Sequence, residues 1–282
     1  MLYTTSPNKT YQPESHIDPT GFGKVALVTG CASGIGLAVT QLLLAHQFSV
    51  CGLDVEAFDY GLVREGDQGR FHFTRGDLVS DGGCEEGVRV CLSVFGGKID
   101  VLVNVAGVMD NFSSADTITD DLWDRVLAVN LTVPVRMMRA VLPTMKARGD
   151  GVIINVASTA GVSGAVAGVA YTASKHGLIG ATKNVAWRFR NDGIRCNAVL
   201  PGAVDSSIGK VIAAGGEQQR WDSESFAEIA KRPVIALQAK PSQAAPMITP
   251  LEVARAIVFL VGDQARTING ISLPVDKAWG VI

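Results

Sequence analysis

Residues 24–36 read Lys-Val-Ala-Leu-Val-Thr-Gly-Cys-Ala-Ser-Gly-Ile-Gly, and apolar residues with helical spacing follow at positions 37, 39, 42, 43 and 44. The first part is rich in β-branched residues, which predicts a strand. Strand, glycine loop and helix in this order form a turn whose free N–H groups can bind a pyrophosphate. Gly30, Gly34 and Gly36 give the spacing Gly-x-x-x-Gly-x-Gly, which differs from the Gly-x-Gly-x-x-Gly of other dinucleotide folds. A turn that needs glycine only for its bend is the alternative.

Strand-like and helix-like segments alternate along the rest of the chain. Parallel strands buried on both faces read as continuous apolar runs. Such runs occupy residues 25–29, 49–53, 70–75, 101–104, 152–156, 195–200 and 271–274. Helical patterns occupy residues 37–46, 84–95, 122–146, 171–190 and 251–260. This alternation predicts an α/β fold with a single Rossmann-type, doubly wound parallel sheet and helices on both faces.

Composition excludes several classes of function. The net charge of −2 provides no basic surface for nucleic acid. No apolar run reaches the roughly 18 residues of a membrane span, so we expect no membrane partner. The cysteines are odd in number and scattered, without metal-ligand or redox spacing, and the four histidines do not cluster. We therefore predict reduced thiols and no metal site.

A second motif, Tyr171-x-x-x-Lys175, predicts an acid–base pair. Four residues make about one helical turn, so the phenol and the ammonium share a face. A nearby cation favours the phenolate and is expected to lower the pKa of Tyr171 from its ordinary value of about 10. The hydroxyl of Ser158 could orient a substrate carbonyl or alcohol beside this pair. Taken alone, such pairs are also ordinary neighbours on helix surfaces.

Together, the motifs resemble those of the short-chain dehydrogenase/reductase family, from about Lys24 to Asp276. In order, they are Thr29-Gly30-x-x-x-Gly34-Ile35-Gly36, Asp77-Leu78, Asn104-Val105-Ala106-Gly107, Asn130, Ser158, Tyr171-x-x-x-Lys175, Asn197-x-x-x-Pro201-Gly202 and Pro274-Val275-Asp276. Their joint order and spacing make the resemblance specific. It implies hydride transfer between a nicotinamide cofactor and a secondary alcohol or ketone.

The resemblance also implies four catalytic residues: Asn130, Ser158, Tyr171 and Lys175. Tyr171 takes the proton of a secondary alcohol as hydride leaves its carbon, while Ser158 holds the substrate oxygen. Lys175 binds the nicotinamide ribose and lowers the pKa of the tyrosine. Asn130 supports a water-linked proton path to Lys175, and it could equally satisfy backbone groups at a helix irregularity.

Charge at the end of the second predicted strand favours NAD over NADP. Asp54 can accept hydrogen bonds from both ribose hydroxyls and would repel a 2′-phosphate. Relatives that use NADP usually carry a basic residue where Ser33 and Val55 stand here. A solvated carboxylate at a strand end is the alternative interpretation of Asp54.

The other cofactor contacts are implied by the same resemblance. Asp77 hydrogen-bonds the adenine, and the end of the fourth strand flanks the adenosine ribose. The segment after the sixth strand lies under the nicotinamide, where Ser206, or alternatively Ser207, contacts the carboxamide. The expected cofactor-binding residues are Gly30, Ser33, Gly34, Ile35, Gly36, Asp54, Asp77, Leu78, Asn104, Ala106, Gly107, Tyr171, Lys175, Pro201, Gly202, Val204 and Ser206.

The substrate is expected to be bulky and apolar. Residues 159–169 are nearly all small or aliphatic, and Met109 and Phe112 follow the third motif. We predict a steroid-like, terpenoid or polyketide alcohol or ketone, with alcohol oxidation as the working direction because cellular NAD is mostly oxidised. The N-terminal extension and glycine-rich insertions resemble fungal biosynthetic members of the family. The alternative is a non-redox dinucleotide-binding or biosynthetic protein that has recruited this fold.

The predicted organisation is one dinucleotide-binding catalytic domain over residues 24–282. Residues 1–23 are polar, lack an apolar signal core and form an N-terminal extension of a cytoplasmic protein. Residues 205–250 carry Pro233, Pro241 and Pro246 and are too long for a simple βα loop, so we expect them to form a substrate cap or lid. The resemblance implies a homo-oligomer, a tetramer or else a dimer, in which the long helices pair across a two-fold axis.

Overall fold

Seven parallel strands form one sheet in the computed structural model, which describes residues 21–205, 222, 224, 227 and 247–281. The strands are β1 (Val25–Thr29), β2 (Ser49–Asp54), β3 (Phe71–Arg75), β4 (Val101–Asn104), β5 (Gly151–Val156), β6 (Ile194–Pro201) and β7 (Ser272–Val275). Their order is β3-β2-β1-β4-β5-β6-β7. All seven predicted strands are confirmed, and every residue of β1 and β4 is buried, as their apolar runs require.

Within the described ranges, the six complete α-helices cover both faces of this sheet. They are α1 (Gly34–Ala45), α2 (Gly83–Val94), α3 (Asp120–Leu127), α4 (Val133–Arg148), α5 (Val169–Arg188) and α6 (Pro250–Val261). One apolar core combines side chains of α1 and α6 with the sheet, and a second combines α2 and α4 with it. The doubly wound Rossmann-type fold is therefore confirmed. Its strand order reverses at β1, so the adjacent loops open a crevice at the carboxyl ends of the strands.

The long helix predicted over residues 122–146 is interrupted. The segment Ala128–Thr132 forms a π-helical turn between α3 and α4. Asn130, at its centre, is fully buried and exchanges two hydrogen bonds with the backbone of Val108, a residue distant in sequence. The spacing of apolar residues does not predict this turn, because the turn accompanies hydrogen bonds to Val108, which lies 22 residues away in the chain. The turn brings α3 and α4 to the loop that follows β4.

The helical course Asp120–Arg148 is long and apolar enough to cross a membrane by length and composition alone. Core helices of water-soluble proteins pass the same test. Here α4 packs against α2, α5, β4 and β5. The expected absence of a membrane partner stays a prediction.

The predicted lid, residues 205–250, has both ends joined at one point. Val204 forms a parallel bridge with Ile248, and the Ile248 carbonyl accepts a hydrogen bond from the Asp205 N–H at 2.9 Å. Beyond this junction, α6 begins with a reciprocal cap between Thr249 and Glu252. The interior of the lid, with Ser206 and Ser207, lies outside the described residues apart from three positions, as does most of the N-terminal extension.

Candidate active site

A cavity of about 790 Å³ opens at the carboxyl ends of the strands and gathers most of the predicted site. It is bounded by the loops after β1, β2, β3, β4, β5 and β6. The predicted residues that line it are Gly30, Ser33, Gly34, Ile35, Gly36, Asp54, Asp77, Leu78, Ala106, Gly107, Ser158, Tyr171, Lys175, Pro201, Gly202 and Val204. The sequence motifs therefore converge on one crevice although they span most of the chain.

The glycine loop forms a cradle that larger side chains would fill. Gly30 has a φ of +69°, and a Cβ placed there would lie 2.9 Å from the Cα of Ala106. At Gly36 a Cβ would lie only 1.9 Å from the carbonyl oxygen of Gly30. The loop thus packs backbone on backbone and leaves the N-terminus of α1 open to the cavity. This arrangement fits the pyrophosphate of a dinucleotide.

We expect Gly36→Ala to weaken NADH binding by at least about tenfold, because the new methyl group must displace the Gly30 carbonyl and with it the cradle. Isothermal titration with NADH measures the effect. Gly69→Ala is the matched control, since Gly69 is exposed and a Cβ there meets no atom within 4 Å. Equal NADH affinity in both variants would contradict the assignment of the loop.

Opposite charges meet at the end of the cavity predicted for the adenosine. Asp54 accepts hydrogen bonds from the N–H groups of Ala32, at 2.9 Å, and Glu56, at 3.0 Å. Arg75 pairs with Asp54 in the β2–β3 register, and its Nε donates to the Val55 carbonyl at 2.8 Å. The family pattern places a basic residue of NADP-dependent relatives at position 33 or 55, so it does not reveal Arg75. Alignment of the predicted second and third strands could have found it.

Asn104 lies differently from its predicted place beside the adenosine ribose. Its side chain is buried and donates a hydrogen bond to Asn155 Oδ1 on β5 at 2.8 Å. Asn155 in turn donates to Thr182 on α5 at 2.9 Å. The amide of Asn104 therefore ties the sheet to α5 and does not line the cavity, whereas the next three residues do. The direction of a strand-end side chain depends on this buried polar partner, which the motif does not encode.

The carboxyl ends of β1 and β4 are linked by hydrogen bonds beside the glycine loop. Thr29 Oγ1 accepts hydrogen bonds from the N–H groups of Val105, at 3.0 Å, and Ala106, at 3.2 Å. The Thr29 hydroxyl oxygen thus takes the place of the backbone carbonyls that would accept these N–H groups if the two strands continued side by side. This contact fixes the loop after β4 against the loop after β1 and sets the width of the crevice.

Ser158, Tyr171 and Lys175 come together at the other end of the cavity. Ser158 follows β5, and its Oγ accepts a hydrogen bond from the Ala160 N–H at 3.1 Å. Tyr171 and Lys175 lie one turn apart on α5, and the lysine Nζ is 5.4 Å from the centre of the tyrosine ring. The side chains of Ser158 and Tyr171 are hydrogen-bonded. This grouping supplies a proton donor or acceptor, a hydrogen-bonding hydroxyl and a cation within one small space.

The pKa of Tyr171 contradicts the expectation from sequence. Burial raises it to about 12, although the hydrogen bond with Ser158 acts in the opposite direction. Burial also lowers the pKa of Lys175 to about 8, and its ammonium donates to the Val156 carbonyl at 3.0 Å. Loss of water around the phenol is the largest cause of the rise in the pKa of Tyr171, and the charge of Asp110 acts in the same direction. The spacing of four residues predicts that Lys175 lies beside Tyr171, but it does not predict how deeply the two side chains are buried.

Asn130 does not line the cavity, but it is hydrogen-bonded to Val108, which does. Its side chain donates to the Val108 carbonyl and accepts from the Val108 N–H, both at 2.8 Å. It also donates to Ser174 Oγ at 3.3 Å. The structural alternative, satisfaction of backbone groups at a helix irregularity, is confirmed. Its part in a proton path to Lys175 stays a prediction.

Within the described ranges, no three His, Cys, Asp or Glu side chains are grouped so that they could hold a metal ion. All five cysteines are described; each is a buried free thiol. Burial raises the pKa of the thiols of Cys31, Cys84 and Cys196. These groups are therefore packing residues with little thiolate character.

Comparisons with known proteins agree with the geometry of this crevice. The profile of the short chain dehydrogenase family matches residues 24–215. The chain belongs to the short-chain dehydrogenase/reductase family. Members of this family bind a nicotinamide dinucleotide, and the glycine cradle with its adjoining crevice has the form that such a cofactor needs.

Similar members of the short-chain dehydrogenase/reductase family occur in fungi. The short-chain dehydrogenase/reductase cdmF of Talaromyces verruculosus is 47% identical over 258 residues, which cover 92% of this chain and 97% of the relative. Asnovolin H dehydrogenase nvfC of Aspergillus novofumigatus is 44% identical with the same coverage. The crystal structure of levodione reductase superimposes with a TM-score of 0.76 at 27% identity, covering 93% of this chain and 99% of that one.

Proposed function

We propose that this short-chain dehydrogenase/reductase oxidises a bulky apolar secondary alcohol to a ketone with NAD. The grouping of Ser158, Tyr171 and Lys175 at one end of a crevice, with the glycine cradle at the other, carries the proposal. A relative that is 44% identical is named a dehydrogenase of asnovolin H, which supports the oxidative direction. The fungal biosynthetic relatives support a role in secondary metabolism.

In this proposal, bound NAD supplies the acceptor for the hydride that leaves the alcohol carbon. The Ser158 hydroxyl holds the substrate oxygen and keeps the Tyr171 oxygen in hydrogen-bonding contact with it. Burial keeps the Tyr171 phenol protonated in the free protein, so it first gives up its own proton along the predicted path past Lys175 and Asn130. The resulting phenolate takes the hydroxyl proton as the carbon–oxygen double bond forms. Lys175 provides positive charge near the phenolate and would bind the ribose of the nicotinamide cofactor. Fixed placement of these groups supplies much of the rate enhancement.

Apolar side chains support the substrate class. Met109, Phe112, Val166, Met247 and Trp279 line the cavity. They come from four separate parts of the chain, so the apolar surface continues around the opening. Drug-sized ligands bind in mostly apolar pockets of about 300–1,000 Å³. The cavity of about 790 Å³ has to hold the cofactor and the substrate together.

The test is an assay of purified protein with NAD and a panel of steroid, terpenoid and polyketide secondary alcohols, followed by the absorbance of the reduced nicotinamide. We expect turnover with bulky alcohols and little with ethanol. The second candidate, a non-redox dinucleotide-binding protein, would bind NADH in a fluorescence titration yet reduce no NAD with any alcohol of the panel. That result would overturn the proposed activity.

NAD is expected to be preferred over NADP by at least about tenfold in kcat/KM, which requires about 1.4 kcal/mol. Asp54→Ala should relax this preference because it removes the repulsion of a 2′-phosphate. Arg75→Ala should act in the opposite direction, because a guanidinium at the same edge attracts that phosphate. Glu56→Ala, an exposed acidic neighbour, is the matched control. Equal efficiency of the native enzyme with both cofactors would refute this reading of Asp54.

A homo-oligomer, a tetramer or else a dimer, is expected to form through the outer faces of α4 and α5. A shallow apolar groove between these helices is lined by Val135, Met138, Leu142, Pro143, Ala181, Val185 and Phe189, with Arg139, Lys146 and Asn184 at its edges. On the other side of α5, Leu178 and Ile179 belong to the core. The groove presents apolar surface that a second copy of the chain would cover.

Light scattering at micromolar concentration should therefore give at least twice the monomer mass. Val135→Glu places a charge on this groove and should shift the mass toward the monomer. Val94→Glu is the control, because Val94 is equally exposed, 43% against 42%, but lies on α2. A monomeric native protein would contradict the proposed assembly.

A further inference from the structure

The buried carboxylate of Asp110 lies behind the cavity wall and does not take part in the mechanism above. Its exposure is 0%, and no ion pair between described residues includes it. Oδ1 accepts hydrogen bonds from the N–H groups of Phe112 and Gly168, both at 3.2 Å. Oδ2 accepts one from the Tyr171 N–H at 2.8 Å. A charge this deep is costly unless its hydrogen bonds are maintained.

These contacts cap the helix that carries Tyr171 and Lys175. The cap position of α5 is Gly168, which has no side chain, and the first turn of α5 contains no acidic residue. Asp110 supplies the missing anion from the loop after β4, and the Ser113 carbonyl accepts the Val169 N–H at 2.9 Å. Unpaired N–H groups and the helix dipole favour a carboxylate at this position. The absence of a Cβ at Gly168 lets the carboxylate approach.

The same carboxylate closes a strained turn. Asn111 and Phe112 have φ values of +56° and +63°, the left-handed region that non-glycine residues rarely occupy. Such conformations persist only where surrounding contacts hold them, and they cluster at functional sites. Phe112 lines the cavity, and the Asn111 carbonyl accepts a hydrogen bond from Asp222 within the predicted lid at 3.2 Å. The turn 110–112 therefore faces the substrate side, while its first residue holds α5.

We propose that Asp110 is a positioning residue that ties the Phe112 wall of the substrate cavity to the first turn of α5. Through this tie, the substrate and the Tyr171 hydroxyl keep one relative geometry. The catalytic half of this inference rests on the proposed function. A misplacement of about 1 Å can cost a hundredfold in rate, so loss of the tie should act on kcat before it acts on cofactor binding.

The experiment compares Asp110→Asn with Asp100→Asn. Asparagine keeps the shape of the side chain, but its amide N–H groups must face one or more of the backbone N–H donors. Asp100 is the control: it is 5% exposed and its Oδ2 accepts the Val25 N–H at 2.6 Å. Unlike Asp110 it also forms ion pairs, with Lys98 and Arg148, so its substitution should cost at least as much stability. It precedes β4, at the opposite end of the strands from the cavity. Both variants should lose stability. A difference in kcat between them therefore reflects the location of Asp110 beside the active site and not a general loss of stability.

For Asp110→Asn, we expect kcat per folded molecule to fall by at least about tenfold, with NADH affinity within about twofold of the native enzyme. Hydrogen exchange should accelerate by about tenfold or more in residues 110–113 and 168–172, and not in residues 130–150. Asp100→Asn should keep the native kcat and the native exchange in both segments. Should Asp110→Asn alone fold poorly, Asn111→Gly in the same chain relieves the positive φ and should recover stability without recovering kcat.

A folded Asp110→Asn variant with the native kcat would overturn the positioning role and leave only a helix cap. Unchanged exchange in the two segments would overturn the tie itself. If the native protein oxidises no alcohol, the proposed activity fails, and the exchange data still decide whether Asp110 couples the cavity wall to α5. The two failures are thereby distinguished.

Discussion

Tyr171→Phe is expected to lower kcat by at least about a hundredfold while NADH binds with nearly native affinity. The substitution removes the oxygen that takes the substrate proton, but it keeps the ring that lies 5.4 Å from the Lys175 ammonium. Steady-state kinetics and a fluorescence titration with NADH measure the two effects separately. A large fall in kcat with an unchanged NADH affinity indicates loss of proton transfer, whereas an equal fall in both indicates damage to the cofactor site.

Tyr60→Phe is the matched control for this substitution. Tyr60 is 46% exposed and packs edge-on against Phe58 outside the cavity. We expect its loss of a hydroxyl to leave kcat unchanged. If Tyr171→Phe kept more than about a tenth of the native rate, proton transfer by Tyr171 would be excluded, since general acid–base catalysis contributes about 10²- to 10⁴-fold.

Lys175→Met is expected to weaken NADH binding and turnover strongly, and yet to make the free protein more stable at neutral pH. Burial lowers the pKa of Lys175 from 10.5 to about 8. At about 1.4 kcal/mol per pKa unit, this corresponds to a penalty of about 3 kcal/mol for the buried charge. The lost hydrogen bond to the Val156 carbonyl offsets part of the gain.

The pH dependence has a definite sign. Between pH 8 and 10.5 the unfolded state holds the lysine proton and the folded state does not, so stability rises with pH in this window. The Lys175→Met variant lacks this rise, and its advantage over the native protein should shrink from pH 8 to pH 10. Urea unfolding without cofactor gives the free energy of unfolding of both proteins at each pH. The difference between the two proteins cancels the contribution of the cysteines, which both contain. Lys183→Met, exposed on the same helix, should show no such difference.

The sequence predicted the elements whose stability is local or repetitive. Continuous apolar runs marked the central strands, such as β1 and β4, because every residue of these strands is buried. The edge strands β3 and β7 are only partly buried, and their patterns are weaker. The glycine loop was recognisable because its close backbone contacts exclude any Cβ, as at Gly36. Tyr171 and Lys175 fall on one helix face by spacing alone. For these features, a rule of geometry connects residue type directly to position.

The remaining features depend on partners far away in the chain. The π-helical turn accompanies the bond between Asn130 and Val108, and the inward direction of Asn104 follows from Asn155. The raised pKa of Tyr171 reflects how completely the phenol is removed from water. Arg75 comes beside Asp54 only through the β2–β3 register. None of these partners lies within one helical turn or one strand of the residue that it affects.

The junction between Val204 and Ile248 bears on how this enzyme family diversifies. Because the chain leaves and re-enters the domain at one bridge, the segment between them is an insertion with fixed ends. The entropic cost of closing such an insertion grows slowly, by about 0.6 kcal/mol for each doubling of length. Evolution can therefore lengthen, shorten or exchange this segment without moving Ser158, Tyr171 or Lys175.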